Sequence, residues 1–281
     1  MSYPPDEHLL RDLPFQMEQV DELRARAHLV LGPRTMLDGA PDPGPIMTAV
    51  DVLAGSLVGR VVAPDWMATA DLSLHLGSGL PVEGELVADA AVIRDGRTTV
   101  VLDARLRAGA PDGPTVGEVV LTFVRLPRRE GNLDLSHFPV ERGARTGFVA
   151  AGPGRSGPFA GVLGLTVLDP AAGGCHLEVD EYVRNSFGAV NGGVVATLAQ
   201  RSGQVLAAHL LAGPVRTTDV EVHYLSQGRS GPLVARAEPI RAGSAEMLAR
   251  VEVHDAGRPA DRGPSPVVVA HVRSAVVTPA T

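Results

Sequence analysis

The sequence contains no lysine, so all 25 of its basic residues are arginine. Without lysine the chain cannot form a Schiff base with a substrate, and it lacks the lysine of a Walker-type phosphate-binding motif. Cys175 is the single cysteine. One cysteine excludes an intramolecular disulfide, and it also excludes zinc or iron–sulfur sites built from several cysteines.

Aromatic residues are scarce, at 4% of the chain, whereas hydrophobic residues together make up 44%. A buried core must therefore consist mainly of valine, leucine and alanine. The net charge of −7 argues against nucleic acid or an anionic membrane as the main partner. The acidic, proline-interrupted start MSYPPDEHLL does not resemble a signal peptide, and we expect no apolar run of the roughly 20 residues that span a bilayer. These features predict a soluble cytoplasmic protein.

An internal repeat organises the chain. The segment TADLSLHL, with Asp71 and His75, is similar to TTDVEVHYL, in which Asp219 and His223 lie 148 residues later. This repetition indicates a tandem duplication. Two further matches are VIRDGR with PIRAGS, and Val124-Arg125 with Val272-Arg273.

Each repeat predicts one helix followed by four strands. Apolar stretches at 45–62 and 193–211 are typical of buried helices. The segments behind them alternate polar and apolar residues, as half-buried strands do, and one hairpin is expected to turn near Asp95 and Gly96. One helix with several long antiparallel strands is an α+β unit, in which the sheet must cover the helix to bury it.

Residues 127–161 are rich in glycine, proline and arginine, which favours a linker between the units. We therefore predict a first domain over 1–130 and a second over 131–281. The first is expected to begin with an amphipathic helix at about 17–31. In the second, two strand-like runs precede the helix.

The second helix is preceded by NSFGAVNGG, which contains Asn185, Asn191, Gly192 and Gly193. Two glycines allow a ligand to approach the backbone closely. The free N–H groups and the dipole of a helix N-terminus favour negative charge, as in an oxyanion hole. The alternative is a glycine turn that caps a core helix, with both asparagines as turn residues.

This arrangement resembles the hotdog fold, duplicated as a double hotdog in one chain. The motif is similar to that of acyl-CoA thioesterases of the phenylacetate-degradation type, in which its last three residues are usually His-Gly-Gly. The resemblance implies an α+β double hotdog, with two antiparallel sheets that each wrap a central helix. It also implies that water hydrolyses an acyl-CoA or another acyl-carrier thioester, with no metal or redox cofactor, since CoA is part of the substrate. Free edge strands make a homodimer plausible.

In the resembled family a carboxylate seven residues after the second glycine acts on the water as a general base. Gln200 occupies that position in the second unit. In the first unit Asp51 lies seven residues after Gly44, provided that Gly44 matches Gly193. An alignment without gaps places Val52 opposite Gln200 instead, and the sequence leaves both registers open.

Family sites combine the glycine end of one unit with the acid of the other, which implies one competent site per chain. The resemblance makes Asp51, Gln200, Asn185 and Thr217 candidate catalytic residues, and Gly192, Gly193, Asn191 and Thr69 candidate substrate-binding residues. The reciprocal site would join Gln200 and Thr217 to the passage near Gly44, which is flanked by prolines that have no N–H to donate. The alternative for Asp51 is a surface carboxylate on an exposed helix turn.

Two other functions stay open. Because the motif lacks its usual histidine and acid, the protein could bind an acyl thioester without turning it over. A dehydratase-like activity is the third possibility, but His137 of the HFP sequence lies in the linker. His75 and His223 share a strand face with acidic residues, and we expect them at a solvent-facing or inter-sheet position.

Overall fold

The computed structural model describes residues 3–77, 79–128, 142–148, 154–259 and 265–277. The first unit contains α1 (Leu9–Asp12), β1 (Phe15–Gln19), β2 (Arg24–Leu31), β3 (Met36–Leu37), β4 (Ala40–Pro41), α2 (Pro43–Val62), β5 (Trp66–Leu76), β6 (Gly84–Asp95), β7 (Thr99–Ala108) and β8 (Thr115–Leu126). The second contains α3 (Phe159–Val162), β9 (Thr166–Asp169), β10 (Gly174–Leu177), α4 (Gly192–Leu210), β11 (Val215–Tyr224), β12 (Leu233–Ala242), β13 (Glu246–Asp255) and β14 (Val268–Val276).

Twelve of these strands form one continuous antiparallel sheet, in the order β1-β2-β6-β7-β8-β5-β11-β14-β13-β12-β10-β9. The two units therefore meet edge to edge, where β5 pairs with β11. The predicted α+β double hotdog is confirmed, with one refinement: its two sheets are joined into a single large sheet.

Each long helix packs against the sheet of its own unit, and α2 and α4 also contact each other. Most residues of α2 are buried, since apolar side chains occur on nearly every side of the helix. This helix is long and apolar enough to cross a membrane by length and composition, which differs from our expectation for the sequence. Its burial inside the fold is that of a core helix.

The helix expected at about 17–31 is wrong, because β1 and β2 occupy this stretch. In β2 the residues Ala25, Ala27, Leu29 and Leu31 are buried, which is the two-residue period of a strand. β1 pairs with β2, and β2 pairs with β6. In the second unit β9 pairs with β10 and β10 pairs with β12 in the same way. Both units therefore begin with two strands, and their lead-in segments are equivalent.

The remaining sequence matches are mostly confirmed. β5 and β11 each carry a bulge, after Thr69 and after Thr217, at the predicted spacing of 148 residues. Strand pairing shows that the match of Val124-Arg125 with Val272-Arg273 is wrong. Ser73 faces Val120, whereas its counterpart Glu221 faces His271, so β8 and β14 correspond at a spacing of 151 residues. Val124-Arg125 and Val272-Arg273 are therefore three residues out of register.

The predicted boundary between residues 130 and 131 lies outside the described residues, as does His137. A described part of the predicted linker, 142–148, runs along β1, where Thr146 bridges Met17. This edge of the sheet is thus partly covered by the connection between the units.

Candidate active site

The two central helices approach each other at a glycine on each. A Cβ atom on Gly193 would overlap the backbone of Thr48, and one on Gly44 would overlap the side chain of Thr197. These reciprocal contacts match Gly44 with Gly193 and Thr48 with Thr197, both 149 residues apart. The structure thus resolves the register that the sequence left open, and it makes Asp51 the counterpart of Gln200.

Asp51 lies at the N-terminus of the opposite helix. Its Oδ2 accepts a hydrogen bond from the backbone N–H of Gly193 at 3.2 Å, and its Oδ1 accepts one from the hydroxyl of Thr69 at 3.0 Å. Thr69 is aimed at this carboxylate from the bulge in β5, as bulges commonly redirect side chains. Only 7% of Asp51 is exposed, so the alternative of a surface carboxylate is wrong.

Burial raises the pKa of Asp51 to about 6, against the opposing effects of the hydrogen bonds from Thr69 and Gly193. Burial in an environment of low polarity disfavours the charged form, whereas donors to the carboxylate favour it. A carboxylate with this pKa is mostly ionised at pH 7 and still accepts a proton readily. This is the property of a general base.

A mainly apolar cavity of about 340 Å³ opens beside Asp51, between the two units. Its walls include Met67 and Phe123 from the first unit and Phe187 and Val195 from the second. Of the candidate residues, Asp51, Thr69, Asn185, Asn191 and Gly192 line the cavity. Gln200 and Thr217 are not among the lining residues.

Tyr224 was missed by the sequence analysis, although it also lines the cavity. Its hydroxyl donates a hydrogen bond to the carbonyl oxygen of Gly192 at 2.8 Å. The same peptide unit carries the N–H of Gly193 that donates to Asp51. Burial, followed by the charge of Asp51, raises the pKa of Tyr224 well above its usual value, so the phenol stays protonated as a donor.

The first N–H of α4, that of Gly192, donates to no acceptor among the described residues. Gly193 was predicted to bind substrate, but its N–H is already directed to Asp51. The donor left for a ligand at this helix end is therefore Gly192. A Cβ atom there would meet Asp51 Oδ2 at 2.9 Å, so any other residue would push the carboxylate out of its present position.

Both asparagines of the motif make the contacts of turn and cap residues. The side-chain oxygen of Asn185 accepts from the N–H groups of Phe187 and Ala189, and Asn191 caps α4 by accepting from the N–H of Val194. Gly188 has φ of +70°, a conformation that favours glycine. The turn therefore holds the start of α4 against the cavity.

The equivalent position in the other unit is built differently. Gln200 donates to Thr217 Oγ1 at 2.9 Å and to Gln204 Oε1 at 3.1 Å, so an amide replaces the carboxylate. Pro43 stands where Gly192 stands in the second unit, and it has no N–H. The N–H of Gly44 is capped by Asp42, so this helix end lacks both donors of the other.

The N-terminal segment of the first unit crosses to the second unit at the cavity. Tyr3 lines the cavity, and the buried His8 lies 2.7 Å from the carbonyl oxygen of Arg184 through its Nε2. Burial lowers the pKa of His8. This segment anchors one wall of the site, and no pattern in the sequence predicts this arrangement.

His75 and His223 lie at the junction of the two units, as expected. His75 pairs with Asp219 at 2.9 Å, and His223 pairs with Asp71 at 2.8 Å, on the face of the sheet that points away from the helices. Neither histidine lines the cavity. These His–Asp pairs therefore give no support to a dehydratase-like site.

The chain is similar to known proteins in sequence and in fold. Residues 187–260 match the family model described as the thioesterase superfamily. A Halobacterium salinarum protein named as a predicted esterase is 32% identical over 116 residues, which cover 38% of this chain and 76% of that protein.

Solved structures of similar fold cover nearly the whole chain. A hotdog-fold protein of unknown function from Alicyclobacillus acidocaldarius superposes with a TM-score of 0.60 at 12% identity, covering 97% of this chain and 99% of its own. Acyl-CoA thioesterase II of Mycobacterium marinum gives a TM-score of 0.55 at 13% identity, covering 94% and 96% of the two chains. Likeness at these identities concerns the fold.

The chain thus belongs to the hotdog-fold thioesterase superfamily. Hydrolysis of thioesters is the general reaction that this membership supports. The sequence resemblance to hotdog thioesterases is confirmed, whereas its narrower likeness to the phenylacetate-degradation type stays a prediction.

Proposed function

We propose that the protein hydrolyses an acyl-CoA or a related acyl thioester at one site per chain. The observation that carries this proposal is the buried carboxylate of Asp51 beside an apolar cavity, against the N-terminus of α4. The site joins α2 of the first unit to α4 of the second, so the complete chain is needed to form it.

In this mechanism Asp51 accepts a proton from a water molecule as the water oxygen attacks the thioester carbonyl carbon. The carbonyl oxygen becomes negatively charged and is stabilised by the N–H of Gly192 and the dipole of α4. The C–S bond then breaks, and the proton held by Asp51 passes to the sulfur. The products are a carboxylic acid and a thiol, which balances the reaction.

Three neighbours support this role for Asp51. Thr69 and the N–H of Gly193 hold the two carboxylate oxygens, while Tyr224 fixes the peptide unit between Gly192 and Gly193. Asn185 and Asn191 contribute by holding the turn and the helix start. Gln200 and Thr217 are hydrogen-bonded to each other outside the cavity lining and take no part in the reaction.

The lining of the cavity supports an apolar acyl group as the part of the substrate that enters. Aromatic and aliphatic side chains provide most of the wall, and the polar groups gather around Asp51. The carrier would then extend from the cavity towards solvent. CoA is the carrier we propose, and it is part of the substrate rather than a cofactor.

The test is thiol release from a panel of acyl-CoAs by the wild-type chain, Asp51→Asn and Gln200→Ala. Asparagine can keep both contacts of Asp51 by accepting from Gly193 and donating to Thr69, so the fold is retained while the base is lost. We expect kcat to fall by about 10²–10⁴ in Asp51→Asn, and Gln200→Ala to keep turnover.

Retained turnover in Asp51→Asn together with loss in Gln200→Ala would overturn the assignment. Tight binding of acyl-CoA by the wild-type chain with no released thiol would favour a binding protein instead. Repeating the panel with acyl carrier protein thioesters distinguishes the two carriers, because a carrier-specific enzyme turns over only that series.

A further inference from the structure

We propose that Glu221, His223 and His271 form a binding site for a divalent transition-metal ion such as Zn²⁺. The three side chains lie on the face of the sheet opposite the active site. They belong to the neighbouring strands β11 and β14, and one possible ligand atom from each lies within 4.8 Å of those of the other two.

Strand geometry brings these residues together. Glu221 and His223 are two residues apart on β11, so their side chains point to the same face. Glu221 faces His271 directly across the β11–β14 pair. The residues next to them on both strands, Val220, Val222, Ala270 and Val272, are buried on the other face.

The ligand types fit a transition-metal ion. Two imidazoles and one carboxylate are a donor set that zinc accepts, with a water in the fourth position. His271 Nδ1 lies 3.7 Å from Glu221 Oε2, and the rings of His223 and His271 have centroids 6.2 Å apart. All three side chains are at least one-third exposed, so small rotamer changes can bring their donor atoms to coordination distance.

A fourth residue, Asp71 of the first unit, orients one ligand. Its Oδ1 lies 2.8 Å from His223 Nδ1. If Nδ1 carries the proton, Nε2 presents its lone pair to the ion, which is the carboxylate–histidine–metal arrangement. The nearby positive charge of Arg250 is compensated, since its guanidinium lies 2.6 Å from Glu252 and 3.8 Å from Glu238.

The duplication supplies an internal comparison. The pair of His75 with Asp219 repeats the pair of His223 with Asp71. The positions equivalent to Glu221 and His271 are Ser73 and Val120, which offer no imidazole or carboxylate. On the first-unit side, His75 is therefore held by Asp219 in the same way, but the other two metal ligands are missing.

The test is calorimetric titration of the full-length, tag-free chain with Zn²⁺ after chelator treatment, with Co²⁺ absorption spectra as a second readout. We expect one ion per chain, at least tenfold weaker binding in His271→Ala and in His223→Ala, and unchanged binding in His75→Ala. Asp71→Asn should weaken binding by about 10- to 100-fold, as expected for a partner of a ligand histidine.

Absence of binding would overturn the proposal, as would equal binding by His271→Ala and the wild-type chain. An equal loss in His75→Ala would also overturn it, because that outcome means the ion is held by scattered surface histidines. Thermal unfolding of each variant without metal checks that the fold is intact. The readout is binding itself, so it does not depend on thioester hydrolysis.

Discussion

Burial of Asp51 disfavours its charged form, and the resulting rise in pKa makes the carboxylate a better proton acceptor for the reaction. The carboxylate has two hydrogen-bond donors, Thr69 and Gly193, and these only partly offset the cost of removing its charge from water. Its pKa of about 6 follows from this balance. Small changes around the carboxylate should therefore be visible in the pH dependence of catalysis.

The pH profile of kcat/KM should have an acid limb with a midpoint near pH 6, because Asp51 must be deprotonated to accept a proton from water. Activity is expected to be nearly full at pH 8 and to fall about tenfold for each unit below the midpoint. Steady-state rates between pH 4.5 and 8.5 with one acyl-CoA measure this. A midpoint near pH 4, the usual range of an exposed carboxyl, would contradict the assignment.

Tyr224→Phe should move the same limb to higher pH. Loss of the phenol hydroxyl weakens the polarisation of the peptide whose N–H donates to Asp51, and a weaker donor stabilises the ionised carboxylate less. We also expect kcat to fall roughly tenfold, corresponding to one lost hydrogen bond of about 1.4 kcal/mol. A purely structural role would lower stability and leave the midpoint where it is.

At the scale of single elements, the close crossing of α2 and α4 sets the active-site geometry. Gly44 and Gly193 lie where a side chain would overlap the opposite helix. The crossing brings Asp51 of one helix to the N-terminus of the other. The two helices cannot move apart at this crossing without breaking the hydrogen bond between Asp51 and Gly193.

Gly193→Ala should therefore impair both stability and turnover. The new methyl group would overlap the Thr48 backbone, and overpacking of this kind costs about 1–3 kcal/mol. Gly161→Ala in α3 is the control, since a Cβ atom there meets nothing within 4 Å. Urea unfolding and kcat of both variants provide the measurement, and equal stability of the two would contradict the crossing.

The sequence predicted the long helices, β5, β11 and the hairpin between β6 and β7 because their periodicity is strong. It failed at β2, where arginine, alanine and leucine favour a helix as readily as a strand. Pairing with β1 and β6 decides that segment, and such long-range pairing is not visible in the local pattern. The one-residue insertion between the helix and β5 likewise left the match of Asp51 with Gln200 undecided against that of Val52.

Tyr224 and the location of the proposed metal site were missed for a different reason. Tyr224 is part of an alternating strand, where its ring is one apolar side chain among several. Glu221 and His271 lie on different strands and acquire a common location only through the register of β11 with β14. The glycine motif was found because its residues are contiguous.

At the scale of the whole molecule, two buried carboxylates make stability depend on pH. Burial raises the pKa of both Asp51 and Asp42 from 3.8 to about 6. A carboxyl group whose pKa is higher in the folded state stabilises the fold at low pH, and this contribution is lost as the pH rises through 6.

Asp51→Asn and Asp42→Asn should therefore stabilise the protein more at pH 7.5 than at pH 5. Linkage predicts that each group costs the wild-type chain about 1 kcal/mol between these two values. Urea unfolding of the wild-type chain and of both variants at each pH measures the difference. Asparagine is a good N-cap, so Asp42→Asn keeps the cap of α2. Stabilisation that is independent of pH would contradict this account.

Fusion of the two units has a consequence for their evolution. In a dimer of identical chains, a proline at the start of the central helix would remove the free N–H from both active sites at once. In the fused chain Pro43 can stand at one helix end while Gly192 is kept at the other. Loss of one site is then tolerated, and each copy of the unit is free to specialise, the first in providing the carboxylate and the second in providing the helix N-terminus.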